Sequence, residues 1–312
     1  MPDTLIPPLS IAKGARDLPA FAGALGESFA RYGFAVISDH GIAPDVIASA
    51  FDRTRAFFAL PEAVKRKYLV PGGGGQRGYT PFGIETAKGA ARADLKEFWH
   101  VGRELPPGHR YRAFMPPNIA VAEIADFNAA AYRLYEAMDA LGLRILNGIA
   151  RYLGLAPDYF DAHVSLGNSI LRLLHYPPVP EGAVGVRAGA HEDINVITLL
   201  LGAEEAGLQL RDRDGQWRDI DPPPDCVVVN IGDMLQRLTN HVLPSTTHRV
   251  VNPSPARAAF PRYSMPFFQH FAPDFVIATL PGCVSPERPN RYPTPITTEA
   301  YLRERLAEIK LI

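Results

Sequence analysis

A histidine and two carboxylates crowd the front of one strand-like run. In "GAHEDINVITLLL", Gly189 to Leu201, His191, Glu192 and Asp193 precede a stretch of Ile, Val, Thr and Leu. Side chains alternate faces along a strand, so His191 and Asp193 would share one face and Glu192 would take the other. A third metal ligand has to come from a distant segment. His248, in the strand-like "STTHRVVN", fits that role better than His241, whose neighbours Asn240 and Pro244 in "LTNHVLP" suggest a loop. Two imidazoles and one carboxylate on one face of an ion leave the opposite positions open, as oxygen chemistry at non-haem Fe(II) requires. Zinc accepts the same three ligands plus water, so the residue types alone leave the metal open.

A second polar pair follows. "PRYSMPFF" places Arg262 and Ser264 two apart in a strand pattern, on one face. A guanidinium holds a carboxylate through two parallel hydrogen bonds, and a neighbouring hydroxyl can add a third. The pair therefore suits a carboxylate clamp; a surface arginine beside a strand serine is the plainer alternative.

Such side chains need a scaffold to bring them together. Leu18, Phe21, Leu25 and Phe29 recur at helical spacing up to Gly33, and "FAVISDHG" then reads as a short buried strand. Another helix is expected after Pro44, with Ile47, Phe51 and Phe58 inward, ending near Pro61; "PGGGGQRGY" then reads as a loop, and "GGGGQRGYTPFG" could serve as a lid. The longest helical pattern runs from Ile124 to Leu153, with Gly142 and Gly148 able to bend or divide it. From Ser169 onward come strand-like runs: "SILRLLHY", "INVITLLL", "GLQLRD", "CVVVNIG", "HRVVN" and "RYSMPFFQHF". Short, evenly spaced strands must close or stack to remove their edges, and a double-sheet jelly roll does so while keeping an open mouth. The expected fold is mainly β with flanking α.

Composition narrows the function. A chain of 312 residues with 47% hydrophobic content can bury a sizeable core, and a formal charge of -1 offers no basic field for nucleic acid or an anionic membrane. Cys226 and Cys283 are too few for a disulfide framework, and no uncharged apolar run reaches the length of a membrane span. A soluble, cytoplasmic protein acting on a small molecule is expected, with neither nucleic acid nor membrane as partner.

Taken in order, these pieces resemble the isopenicillin N synthase-like family of Fe(II)- and 2-oxoglutarate-dependent dioxygenases. "YGFAVISDHGI", "AFFALPEAVKRKY" and "KEFWHVG" look like the N-terminal region of that family. "LLHYPP", "HEDINVITLLL", "GLQLRDRDGQW", "VVVNIGDMLQRLTN", "STTHRVVN" and "RYSMPFF" then follow in the family's order. The resemblance implies a double-stranded β-helix (jelly-roll, cupin-like) core with an N-terminal helical region and a long supporting helix. It would form one dioxygenase domain over 1–312, divided as 1–115 N-terminal region, 116–156 long helical segment, 165–280 core and 281–312 C-terminal segment.

The same resemblance implies that His191, Asp193 and His248 bind Fe(II), that Arg262 and Ser264 hold the distal carboxylate of 2-oxoglutarate, and that Tyr176 adds a hydroxyl. O2 would take the remaining metal position, and the keto acid would leave as succinate while a small organic substrate is hydroxylated or desaturated. A same-family oxidase that does not use 2-oxoglutarate, and a non-catalytic metal-binding jelly-roll sensor, are the alternatives. Two departures stand out. Plant members often carry Asn two residues before the tyrosine, where this chain has Leu174, and the His248-to-Arg262 gap is lengthened by "PSPARAAFP", which an extended hairpin would absorb. Arg172, Phe268 and His270, spaced by two along strands expected to face the metal, are the substrate candidates; an unpaired Arg172 would favour an acidic substrate, and an Arg172 paired with an internal carboxylate is the equal alternative.

Overall fold

Asp17 and Gly33 bracket the first long helix as their types require. The Asp17 carboxylate accepts from the N–H of Ala20, Leu18–Tyr32 follow as helix, and Gly33 closes it at φ 70°. This computed structural model describes residues 5–73, 75–85, 94–178, 186–201, 207–252 and 255–308. Pro44–Phe58 form the next helix. The long helix is continuous over Phe127–Tyr152, undivided by its glycines, and starts three residues later than the apolar pattern because Asp126 adopts φ 60°. Of the expected helical segment 116–156, residues 116–126 are therefore turns and irregular backbone.

The first half supplies four strands: β1 (Pro8–Ser10), β2 (Phe34–Ser38), β3 (Gly78–Thr80) and β4 (Glu97–Gly102). Next come β5 (Ile170–Tyr176), β6 (Ala188–His191), β7 (Ile197–Leu201), β8 (Leu208–Arg211) and β9 (Trp217–Asp219). β10 (Val227–Ile231), β11 (His248–Val250), β12 (Arg262–Gln269), β13 (Val276–Ile277) and β14 (Ile296–Thr297) complete the set. One sheet runs β1-β2-β10-β7-β12-β5-β4-β3, and a smaller one runs β6-β11-β8-β9. The two form a double-stranded β-helix core with flanking helices.

The N-terminal region is thus not only helical, since it extends both edges of the large sheet. β4 carries no alternation to betray it, because all six of its residues are buried, Glu97 and His100 included. Gly78–Thr80, partly inside the expected loop, pairs with β4 as β3. Glu97 ties these strands to the helices: its carboxylate accepts from Lys65 Nζ at 2.7 Å and from the Tyr79 hydroxyl, and lies 2.7 Å from His175 Nδ1. A buried network of this kind is stable only when every member is partnered.

Behind the large sheet, Leu134, Met138, Leu141 and Ile145 of the long helix are buried with Phe57, Trp99, Leu199 and Phe267 in the main core. A second core of Phe34, Val36, Leu208, Leu210, Val228 and Val250 fills the space between the sheets. No helix among the described residues is long and apolar enough to cross a membrane.

One close approach governs the connection from β6 to β7. The N–H groups of Gly232, Asp233 and Met234 donate to the carbonyls of Val196, Asp193 and Asn195 at 2.9, 2.7 and 3.0 Å, pinning that turn to the end of β10. A Cβ on Gly232 would fall 2.2 Å from the Asn195 carbonyl oxygen. Gly232→Ala is therefore expected to cost roughly 1–3 kcal/mol, as overpacking typically does. Urea denaturation checks this, and a midpoint at or above that of the parent would contradict it.

Candidate metal centre

Antiparallel pairing of β6 with β11 sets His248 opposite His191. Their ring centroids are 4.4 Å apart. Asp193 lies just past the end of β6, in the pinned turn rather than on the strand itself. One ligand atom from each of His191, Asp193 and His248 lies within 4.8 Å of the others, a spacing that suits a single ion.

Each imidazole is oriented by its other nitrogen. Nδ1 of His191 donates to the Gly189 carbonyl at 2.7 Å and Nδ1 of His248 to the Thr246 carbonyl at 3.1 Å, since a carbonyl can only accept. Both Nε2 atoms are left to face Asp193, at 3.8 Å and 3.9 Å from its carboxylate oxygens. That carboxylate is held in turn by Thr198 Oγ1 at 2.5 Å and Asn230 Nδ2 at 2.7 Å. Burial alone would raise its pKa, but His248, His191, Asn230 and Thr198 together hold it below the usual range. Burial, with His248 alongside, lowers His191 to about 4, so the imidazole is neutral near pH 7, the form that ligates metals. Glu192 points away, is exposed and accepts from Thr247 at 2.8 Å. His241 sits in a turn and bonds Tyr292.

Pairing of β12 with β5 aligns Arg262 with Tyr176 and Ser264 with Leu174. Arg262 is 1% exposed, its Nη1 donates to Ser264 Oγ at 3.4 Å, and its guanidinium lies 5.1 Å from the Tyr176 ring centre. Leu174 is buried against Phe98 and Tyr176, so this position offers no polar contact. The expected hairpin before Arg262 is not formed: Pro255–Ala258 make a helical turn instead, and residues 253–254 lie outside the described set.

A cavity of about 820 Å³ opens beside this cluster, lined by His191, Asp193, Arg172, Phe268 and His270 among others. The glycine-rich segment lines it too, through Gly72, Gly75 and Gln76. Arg172 is not unpaired. Its guanidinium reaches Glu85 at 3.1 Å, its Nε donates to His100 at 2.7 Å, and it packs on the rings of Phe98 and Phe268 at 4.1 Å and 5.2 Å. Lys96 joins the same network, 2.7 Å from Glu85 and 2.8 Å from Asp94. Of the two readings open for Arg172, the structure has the internal carboxylate pairing, so it carries no free charge with which to select an acidic substrate. Thr198, Asn230, Lys96 and His100, which lie within recognisable motifs that assign them no role, and Glu85 and Asp94, which lie in none, also belong to the metal cluster or the cavity wall.

Known proteins share this arrangement. Residues 167–271 match the model of the 2OG-Fe(II) oxygenase superfamily, and residues 6–123 match that of the non-haem dioxygenase in morphine synthesis N-terminal region. The 2-oxoglutarate-Fe(II) type oxidoreductase hxnY of Emericella nidulans is 33% identical, across 89% of this chain and 81% of its own length. A solved 2OG-Fe(II) oxygenase family protein of Caulobacter crescentus is 57% identical with a TM-score of 0.92, covering 98% of this chain and 99% of its own. A full-length Neurospora crassa protein, solved in complex with 2-oxoglutarate (alpha-KG) and thymine, is 32% identical with a TM-score of 0.86, covering 98% of each chain.

Three histidines around the cavity are kept uncharged chiefly by burial: His191 and His270 are lowered to about 4, and His100 well below its usual value, with Arg172 adding to the effect. Unfolded, each takes a proton near pH 6.5, so the unfolded chain binds more protons below that point. Stability of the metal-free protein should fall as pH drops from about 6.5 toward 4, and His270→Gln should flatten the slope. Urea midpoints across that window measure it; a midpoint that holds steady or rises on acidification refutes the reading.

Proposed function

The chain belongs to the 2OG-Fe(II) oxygenase superfamily and is an Fe(II)- and 2-oxoglutarate-dependent dioxygenase, and on that premise we propose that His191, Asp193 and His248 hold its iron and Arg262, Ser264 and Tyr176 its 2-oxoglutarate. The meeting of two oriented imidazoles and one anchored carboxylate, with His191 and Asp193 reaching the cavity, is the observation that carries this reading. Bound iron, 2-oxoglutarate and O2 supply the oxidation, in which the keto acid gives succinate and CO2 while a small organic substrate is oxidised.

The protein's own part is orientation and exclusion of water. His191 and His248 offer Nε2, while Thr198 and Asn230 hold Asp193 so that its carboxylate stays turned toward them. A guanidinium as buried as that of Arg262 gains most from a carboxylate, which meets it with two charge-assisted bonds. Tyr176 covers one face of that guanidinium. Arg172, Phe268 and His270 line the wall where a substrate would lie, with Phe268 and Arg172 offering a flat surface. Buried, unbridged Cys226 and Cys283 support a cytoplasmic setting, and we read 1–312 as one working unit.

Asp193→Ala is expected to abolish Fe(II)-dependent succinate formation, a loss of more than about 100-fold for a residue that holds the metal. Glu192→Ala should retain most of it; comparable losses would place the wrong carboxylate on iron. Arg262→Gln removes charge-assisted bonds worth roughly 1.5–3 kcal/mol, so the KM for 2-oxoglutarate should rise about 10- to 100-fold. An unchanged KM in initial-rate assays would remove the clamp. Substrate oxidation without succinate would favour the sibling oxidases instead.

A further inference from the structure

Charge on the cavity wall is unevenly matched. Arg172 and Lys96 share a network with Glu85 and Asp94, two cations against two carboxylates. Arg77 lines the same cavity without such a partner among the described residues. It is 3% exposed; Nη1 donates to the Gln76 carbonyl at 2.7 Å, while Nε and Nη2 meet no acceptor. The nearby Glu104 is exposed and engaged with Asn118.

The direction of Arg77 follows from the pleat of β4. Phe98 and His100 face the cavity, so Gly102, two residues further, faces the same way. The Arg77 guanidinium occupies the place of the side chain that Gly102 lacks: a Cβ there would fall 1.9 Å from Arg77 Cζ. Gly102 pairs with Ile170, also on the cavity wall. Two residues before Ile170, Asn168 is 4% exposed, lines the cavity and has an Oδ1 with no donor among the described residues. Burial lowers the guanidinium pKa only to about 10, so it is charged at neutral pH. A buried charge without a counter-ion is costly, and a ligand that brings one recovers the cost.

We propose that Arg77 is the substrate anchor, that it binds the carboxylate of a small organic acid at the end of the cavity bounded by Gly102, Ile170 and Asn168, and that Asn168 Oδ1 accepts an N–H or O–H of the same molecule. This rests on the dioxygenase reading and moves acid recognition from Arg172 to Arg77.

Calorimetry under nitrogen, on protein loaded with Fe(II) and saturating 2-oxoglutarate, tests it with isosteric acid and amide pairs: benzoate and benzamide, phenylacetate and phenylacetamide, hexanoate and hexanamide. The parent should bind at least one acid about tenfold or more tighter than its amide, a difference of about 1.4 kcal/mol. Arg77→Gln should bring the two within twofold. No acid preference in the parent, or a preference that survives Arg77→Gln, overturns the anchor. Parent protein that fails to take up 2-oxoglutarate at all instead sinks the co-substrate site, so the two failures are distinct. A second arm needs no ligand. Arg77→Met removes an uncompensated buried charge and should raise the Tm of the unliganded protein by a few degrees, whereas a lowered Tm would make Arg77 structural and overturn the proposal.

Discussion

Two imidazoles and a carboxylate brought face to face inside a protein form a cluster that suits a single cation. The register that places His248 opposite His191 and the turn that swings Asp193 toward both create that cluster. Much of the surrounding architecture holds it. Backbone carbonyls fix the imidazole tautomers, Thr198 and Asn230 from neighbouring strands fix the carboxylate, and the amides after β10 fix the turn. The long helix and its core give the strands a rigid backing, so that positions set by strand pairing persist as positions of ligand atoms.

Charge near this centre is partitioned rather than simply abundant. Arg172, Lys96, Glu85 and Asp94 cancel one another, which lets polar groups line a cavity without imposing a net field on it. Arg77 stands outside that balance, seated on a strand position whose side chain has been reduced to hydrogen. A protein optimised only for stability would pair or remove such a charge. Its retention in the wall of the metal's own cavity is what gives it meaning as a recognition element.

The candidate ligands and clamp residues lie where strand periodicity places them, His248, Arg262, Ser264 and Tyr176 all on strands, while the roles proposed for them come from the order of their motifs. Asp193 shows the limit of that reasoning, since a turn rather than a strand carries it to His191. The helices at Leu18–Tyr32 and Pro44–Phe58 follow their apolar spacing closely. β3 and β4 escaped notice because a strand buried on both faces has no alternation, and one that holds Glu97 and His100 in buried polar contacts does not even look apolar. Arg172 could not be interpreted from its own neighbours, because its counter-ion Glu85 is distant in sequence and reaches it only in the folded chain.

These differences point to a division of labour along the chain. The proposed iron ligands and clamp residues all lie beyond residue 175, on strands or, for Asp193, in a turn pinned to one. Arg77, Glu85, Asp94, Lys96, Phe98 and His100, by contrast, come from β4 and the segments leading into it. That part of the wall is distant in sequence from the proposed metal ligands, and it meets the strand that carries His191 where Asp94 accepts from the N–H of Gly189. The proposed iron ligands therefore belong to the second half of the chain, while the cavity wall draws on both halves. The same reasoning explains why the reaction class could be read from motifs while the substrate could not: the former depends on fixed strand geometry, the latter on side-chain pairings that only folding creates.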